Sequence, residues 1–499
     1  MKKSFLSLFL VFFIAFLATS GCGDEAKNEG GGEEELVDET NDTNSDYPIT
    51  ISSTVPQDLA ANATPEQLVT FAWDEFFALV WKSSYNEDGK RDNPDTGWSF
   101  SSDSDPYPSD PVVWETFAHR TELRPYDDNM LPFVDAPHYS FGATLIPKNT
   151  GDSFTLFNNL DEDNEIGSCN DYAYYDTYEF DNMVLYQAKC NSDEYNYILD
   201  NYPDKASLLD ATTKTLGNIE KFNSYLANTT NTCDCPTDSG VVCLPCGGAS
   251  DPNGGTYTGA MEIKTAWRQL TSEDDASTFF TRDVIVFESD GNDQDTFYYT
   301  NKTYALIGIH IIHKTENYPD FVFATFEHVG VEDDNMAYQV IDGTEEETLK
   351  VNYPRQHPIP SEATEGTEVA HSLLSAQNPN SIWLNYQLIG VQAQPSSDQS
   401  AFSFFLANYV IESDSTLASF QGSSIGNPHD QKDNILLDGN YFSQGGCQGC
   451  HGVAQITLGT DFSFLLDTVG KPVVSPDIPN MLPEDQAAQL RAYVKATAR

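Results

Sequence analysis

Cys447-Gln448-Gly449-Cys450-His451 constrains this 499-residue chain more than any other stretch. It reads C-x-x-C-H, the spacing at which a c-type haem is attached. Thiols at i and i+3 reach the two vinyl groups of one porphyrin, and the next side chain is an imidazole placed under the iron. Cys447 and Cys450 are therefore the expected covalent anchors of one haem c, and His451 the expected proximal iron ligand. A haem brings its own redox chemistry, while the protein supplies ligands and environment. The bland alternative is a disulfide or a redox-active C-x-x-C that happens to precede a histidine.

The N-terminus speaks to compartment. Lys2 and Lys3 precede the apolar run Phe5–Ala18. That run is shorter than the ~20 residues a spanning helix needs, and suits a signal-peptide core. Thr19-Ser20-Gly21-Cys22 resembles the lipobox of bacterial lipoproteins, with Thr19 where that family usually has Leu. The resemblance implies a signal peptide over 1–21 and lipid on Cys22. Several acyl chains anchor stably where one does not. An ordinary secreted chain with an incidental Cys22 is the alternative. Residues 22–47, with Gly30-Gly31-Gly32 and Glu33-Glu34-Glu35, bury almost nothing and read as an acidic disordered tether. The expected location is the bacterial cell envelope, on the outer membrane, its periplasmic face or the cell surface.

Cysteine arithmetic points the same way. Nine cysteines less Cys22, Cys447 and Cys450 leave Cys169, Cys190, Cys233, Cys235, Cys243 and Cys246. An even remainder in an exported chain reads as disulfides. Cys169 and Cys190 are expected to pair. Cys233-x-Cys235-x7-Cys243-x2-Cys246 also has the ligand set of a four-thiolate zinc site, but an oxidising compartment favours two disulfides, worth ~2–4 kcal/mol each.

Charge narrows the partners. With 77 acidic residues against 25 basic, the formal charge is −52, which disfavours nucleic acid and anionic membrane surfaces. A redox partner with a basic docking surface, divalent ions, a salty medium or simple solubility all fit. Asp161-x-Asp163-x-Glu165-x-Gly167 and Asp290-x-Asn292-x2-Asp295 place oxygens at calcium-like spacing, though neither completes the loop pattern. Calcium binding and ordinary acidic turns both fit them.

The length implies two or three domains. Residues 48–391 read as one α+β domain, mostly antiparallel sheet with helical additions. Thr64-Pro65-Glu66-Gln67 is a capped helix start, and that helix extends to about Lys82. Asp110-Pro111 opens a short helix carrying Trp114 and Phe117. Strands are expected over 257–267, 279–287, 297–314 and 321–328, with a hairpin turn at 289–293. His310 and His313 would alternate across a strand, one packed and one exposed, and so would not share a metal. Residues 392–400 read as a linker, and 401–499 as a small, largely helical domain.

That last segment resembles a class I cytochrome c. The resemblance rests on C-x-x-C-H, on Met481 followed by a turn, and on a final helix with Leu490, Tyr493 and Val494. It implies an all-α fold with Met481 as distal iron ligand. Gly439-Asn440-Tyr441-Phe442 would lie in its first helix, and Asp461–Leu466 is a further helix-like run. His429 is the other local candidate for the sixth ligand, an open iron position is a third reading, and Met481 can also be a plain core residue. Blocks at 306–315, 323–328 and 383–387 resemble large bacterial proteins ending in one C-x-x-C-H, which brings no activity with it. Three functions follow as expectations. The first is a lipid-anchored monohaem electron-transfer protein. The second is a haem oxidoreductase whose larger domain binds substrate. The third is a surface binding module with an appended haem.

Overall fold

The strand Asp293–His313, 21 residues long, organises the architecture. The computed structural model describes residues 46–411, 435–442 and 447–472, apart from stretches within them of which the longest are 162–183 and 218–232, followed by 234–239, 332–337, 342–347 and 352–357. The chain divides into units Met1–Asp42 and Thr43–Arg499, and the described residues belong to the second.

The strands in chain order are β1 (Ala118–His119), β2 (Thr144–Pro147), β3 (Asn159–Leu160), β4 (Leu185–Cys190), β5 (Met261–Arg268), β6 (Thr281–Asp290), β7 (Asp293–His313), β8 (Val322–His328), β9 (Tyr338–Ile341), β10 (Thr348–Val351), β11 (Tyr386–Gln392), β12 (Ile435–Leu437) and β13 (Asn440–Phe442). The first half of β7 pairs β6 antiparallel and β2 parallel. Its second half lies between β5 and β8, both antiparallel. β4 and β1 continue the sheet beyond β5, and β11 continues it beyond β8. β3 runs parallel to β6. The class is α+β: a mixed, strand-rich sheet with few helices.

The expected strands all appear, with ends shifted by a few residues. Gly291-Asn292 joins β6 to β7 as a two-residue hairpin. Helix α1 (Pro65–Leu79) has the expected reciprocal cap. Thr64 Oγ1 accepts from Gln67 N, and Gln67 Oε1 accepts from Thr64 N at 2.9 Å. It ends at Leu79 rather than Lys82, because Lys82 bridges Val112 and Ser83 N donates to Pro111 O at 2.8 Å. The expected helix after Pro111 is one 3-10 turn, Val113–Thr116.

The last ten residues of β7 are buried without alternation, so both sheet faces are covered. Odd positions such as Ile309 and Ile311 join the aromatic core under α1 and the helix Ser361–Gln377, with Trp73, Phe76, Phe326 and Trp383. On the opposite face, Ile312 and Phe323 pack with residues of two helices, α4 (Ser192–Asn201) and α5 (Lys205–Gly217), and with Leu406, Cys447, Leu465 and Leu466. Described residues beyond 392–400 thus lie against this sheet. Gln392 itself is a buried strand residue whose Nε2 donates to Ser403 O at 3.1 Å. Asn408 Nδ2 donates to Thr325 Oγ1 at 2.8 Å and to Phe326 O at 2.9 Å. Gly308 carries no side chain where Val410 sits, and a Cβ there would overlap it.

Two local expectations in this segment are corrected. Asn440–Phe442 is not helical but pairs with Ile435–Leu437 as a short antiparallel ladder. The intervening Asp438-Gly439 is a strong hairpin dipeptide, and the flanks are apolar and aromatic. Asp461–Leu466 is a series of tight turns, because Asp461 and Phe462 have φ of 56° and 70°.

Candidate functional site

The site is built from β8, the end of β7 and the turn following His451. His451 Nδ1 lies 2.8 Å from Phe462 O. A carbonyl only accepts, so Nδ1 carries the proton, and in the neutral ring the lone pair sits on Nε2, the nitrogen a metal would take. The imidazole plane is set by two rings. Phe323 of β8 is 5.0 Å from it and Phe464 is 5.1 Å from it, centroid to centroid. Cys447 is 6% exposed in the cluster that holds Leu406, Phe323, Leu465 and Leu466, and its thiol donates to Leu406 O at 3.8 Å.

The Phe462 carbonyl is aimed by an unusual turn. A non-glycine residue in the left-handed region costs on the order of 1–3 kcal/mol, and Asp461 and Phe462 occupy it consecutively. Gly459 precedes them at φ 69°, where a Cβ would overlap the Thr212 carbonyl of α5. Side-chain and main-chain bonds hold the turn. Asp461 N donates to Gln455 Oε1 at 2.7 Å, Asp461 Oδ2 accepts from Leu244 N at 2.7 Å, and Lys314 Nζ is ion-paired to the same oxygen. Leu465 N donates to Ser463 Oγ at 3.0 Å. Lys314 follows directly on β7 and is 3% exposed.

More carboxylates are buried around this pair. Glu194 of α4 is held well above its ordinary range, first by burial, then by the charges of Glu262 and Asp461, with Lys314 and Ser463 opposing. Glu262 of β5 is pushed up to about 7 by burial, against the Ser463 hydrogen bond and the Lys264 charge. Asp320 rises to about 6, again mainly by burial. Burial thus holds all three carboxyls towards the protonated form, which lowers the cost of packing so many acids together.

The other expected site residues fall as follows. Cys233 and Cys246 form a disulfide with Cα atoms 6.1 Å apart, and Cys243 is also disulfide-bonded. These sulfurs are therefore not zinc thiolates. They line a cavity of about 380 Å³ together with Tyr197, Tyr257 and Glu316. Cys169, the expected partner of Cys190, lies outside the described residues. Cys190 is a free thiol, fully buried at the end of β4, where burial and the charges of Glu194 and Glu262 push it well above its usual range. Cys22, Cys169, Cys235, His429, Cys450 and Met481 lie outside the described residues.

His310 and His313 do face opposite sides of the sheet, but both are buried. The expected exposed partner is therefore absent from the pair, because the covering segment around Asn408–Ile411 lies on the face of His310. His313 Nδ1 is hydrogen-bonded to a Glu75 carboxylate oxygen of α1, Nε2 lies 2.7 Å from Thr258 O, and the ring stacks on Phe71. Asp161 is buried against His119 Nε2 at 3.2 Å and Arg120 at 3.4 Å, while Asp163, Glu165 and Gly167 are outside the described residues. Asp295 takes Lys471 as its cation. Among the described residues no group of three or more His, Cys, Asp or Glu side chains is arranged to hold a metal ion. No helix among them is long and apolar enough to cross a membrane.

Sequence reading missed Lys314, Asp461, Phe462 and Phe323. A usable signal was present. Lys314 closes an otherwise apolar strand run, and a lysine at such a position needs a buried anion.

No protein-family model, curated protein or solved structure matches this chain.

Proposed function

We propose that this chain is an exported, lipid-anchored monohaem c-type cytochrome whose task is single-electron transfer. The observation that carries the reading is the hydrogen bond from His451 Nδ1 to Phe462 O, on the histidine that closes C-x-x-C-H. It supports Nε2 as the nitrogen that would meet an iron, and the residue types of C-x-x-C-H are those a haem c needs. Cys447 and Cys450 would hold the porphyrin, and His451 and Met481 would bind the iron.

A haem so held would supply a one-electron couple, and two protein ligands on its iron would favour electron transfer over substrate binding there. The protein's own residues do the rest. The Phe462 carbonyl retains the Nδ1 proton and raises imidazole basicity. Phe323 and Phe464 fix the ring plane. Leu406, Leu465 and Leu466 keep water from the Cys447 side. The finer expectation, a small all-α cytochrome fold over 401–499, rests on Met481 and the Leu490–Val494 helix signal. Lipid on Cys22 and the 22–47 tether would hold the protein at an envelope membrane, facing a partner with a basic surface. That contact should weaken as salt rises.

The test is the visible spectrum of the protein made in a host that attaches haem. Covalent haem bands in the wild type, lost in Cys447→Ala/Cys450→Ala, are expected, and Met481→Ala should alter the ligand-sensitive bands. Absence of covalent haem from the wild type ends the proposal.

A further inference from the structure

Lys314 belongs to the sheet, far in sequence from the haem motif, yet it reaches the turn that meets His451. Its backbone is fixed on both sides. Lys314 N donates to Ala260 O and Gly247 N donates to Lys314 O, both at 2.9 Å. Its side chain emerges on the face that carries Ile312 and Phe323, and its ammonium pairs with Asp461. Both partners are almost fully buried, at 3% and 1% side-chain exposure. Such a pair is an expensive way to gain stability, since an apolar pair of similar volume often does as well. What it gives here is direction. Asp461 Oδ2, held between Lys314 Nζ and Leu244 N, offsets the strain of the consecutive left-handed residues Asp461 and Phe462. That conformation points the Phe462 carbonyl at His451 Nδ1. Phe323, on the neighbouring strand of the same face, backs the imidazole.

We propose that Lys314 is a positioning residue for His451. Through Asp461 it holds the 461–462 turn, and the turn sets the tautomer and orientation of the imidazole. The larger α+β domain is then part of the ligand environment and not only a carrier. The inference rests on His451 being the iron ligand, but its first consequence is a property of the haem-free chain.

The experiment uses the full chain with nitrogen-15-labelled histidine. In Cys447→Ala/Cys450→Ala, which carries no covalent haem, His451 is expected wholly as the Nδ1–H tautomer with slow proton exchange. Adding Lys314→Met should mix in the Nε2–H tautomer and raise the Nδ1 exchange rate about tenfold, as loss of one net hydrogen bond implies. Lys314→Arg should restore most of the protection. Lys314→Met/Asp461→Asn leaves no lone buried charge, so it keeps the question answerable if the single variant fails to fold, and it should show the same tautomer mixing. In the haem-loaded protein the same variants should shift the midpoint potential, with return towards wild type in Lys314→Arg. Unchanged tautomer and exchange in the double variant overturn the proposal. Absence of covalent haem in the wild type would instead remove the cytochrome reading, with the tautomer result still standing.

Discussion

His313 at the end of β7 and Lys314 directly after it each meet a buried carboxylate, on opposite faces of the sheet, and they serve different ends. His313 points into the aromatic core and pairs with Glu75 of α1, while its second nitrogen meets Thr258 O at 2.7 Å. Its neighbours are rings and aliphatic chains of the same core, and α1 packs directly over it. Lys314 points the other way and pairs with Asp461, on a turn of unusual backbone conformation that faces a candidate ligand. One pair ties a helix to a sheet. The other ties the sheet to the residues after C-x-x-C-H. The difference teaches that burial of charge does not by itself mark a site. What marks one here is strained backbone at one end of the pair, and a side chain whose hydrogen bond that backbone controls.

The comparison breaks most readily by deleting one member of each pair. Lys314→Met leaves Asp461 buried with Leu244 N as its remaining donor at 2.7 Å, and is expected to cost about 3–5 kcal/mol in urea unfolding. His313→Leu should cost less, about 2–3 kcal/mol, because Glu75 already sits above its usual range through burial and takes up a proton when its partner goes. Equal losses would mean that both pairs are merely structural.

A pH series sharpens the contrast between the faces. Glu262 is held at about 7 in the folded chain against an ordinary 4.5, and Glu194 is raised in the same direction. Between these values the folded state keeps a proton that the unfolded state releases. The Glu262 contribution is therefore complete below pH 4.5 and is lost as pH rises to 7, on the order of 3 kcal/mol. Glu262→Gln should flatten that part of the stability profile, and an unchanged slope would refute the assignment.

The smallest effect concerns the rim. Lys471 joins Asp295 of the β6–β7 hairpin, with side chains 42% and 74% exposed. Lys471→Ala should change stability by about 0.2–1 kcal/mol, less in high salt. A loss above about 2 kcal/mol would make this contact part of the face's core.

Legibility followed the range of the interactions. The α1 cap, the main strands and the β6–β7 hairpin are local patterns, and each could be read from neighbouring residues. The helix Ser361–Gln377 was not read, since its apolar stripe is weak and Ala363, Gly366 and Ala370 earn their places only by packing. Gly366 is an example: a Cβ there would overlap Val69 of α1. The parallel pairings of β2 and β3 join segments far apart in sequence, and no turn announces them. That both His310 and His313 are buried was not read, because the cover over His310 comes from around residue 408.

By itself, the sequence determined the residues on offer: a C-x-x-C-H run, an apolar N-terminal stretch followed by Cys22, six further thiols and a strongly acidic chain. These are matters of residue identity and short spacing, and composition suffices for them. Only the tertiary structure decided that Cys190 is a free buried thiol, that His313 belongs to α1, and that Lys314 belongs to His451's turn. Each depends on which residue from a distant part of the chain arrives beside a buried group, and a buried charge is set by what surrounds it in space.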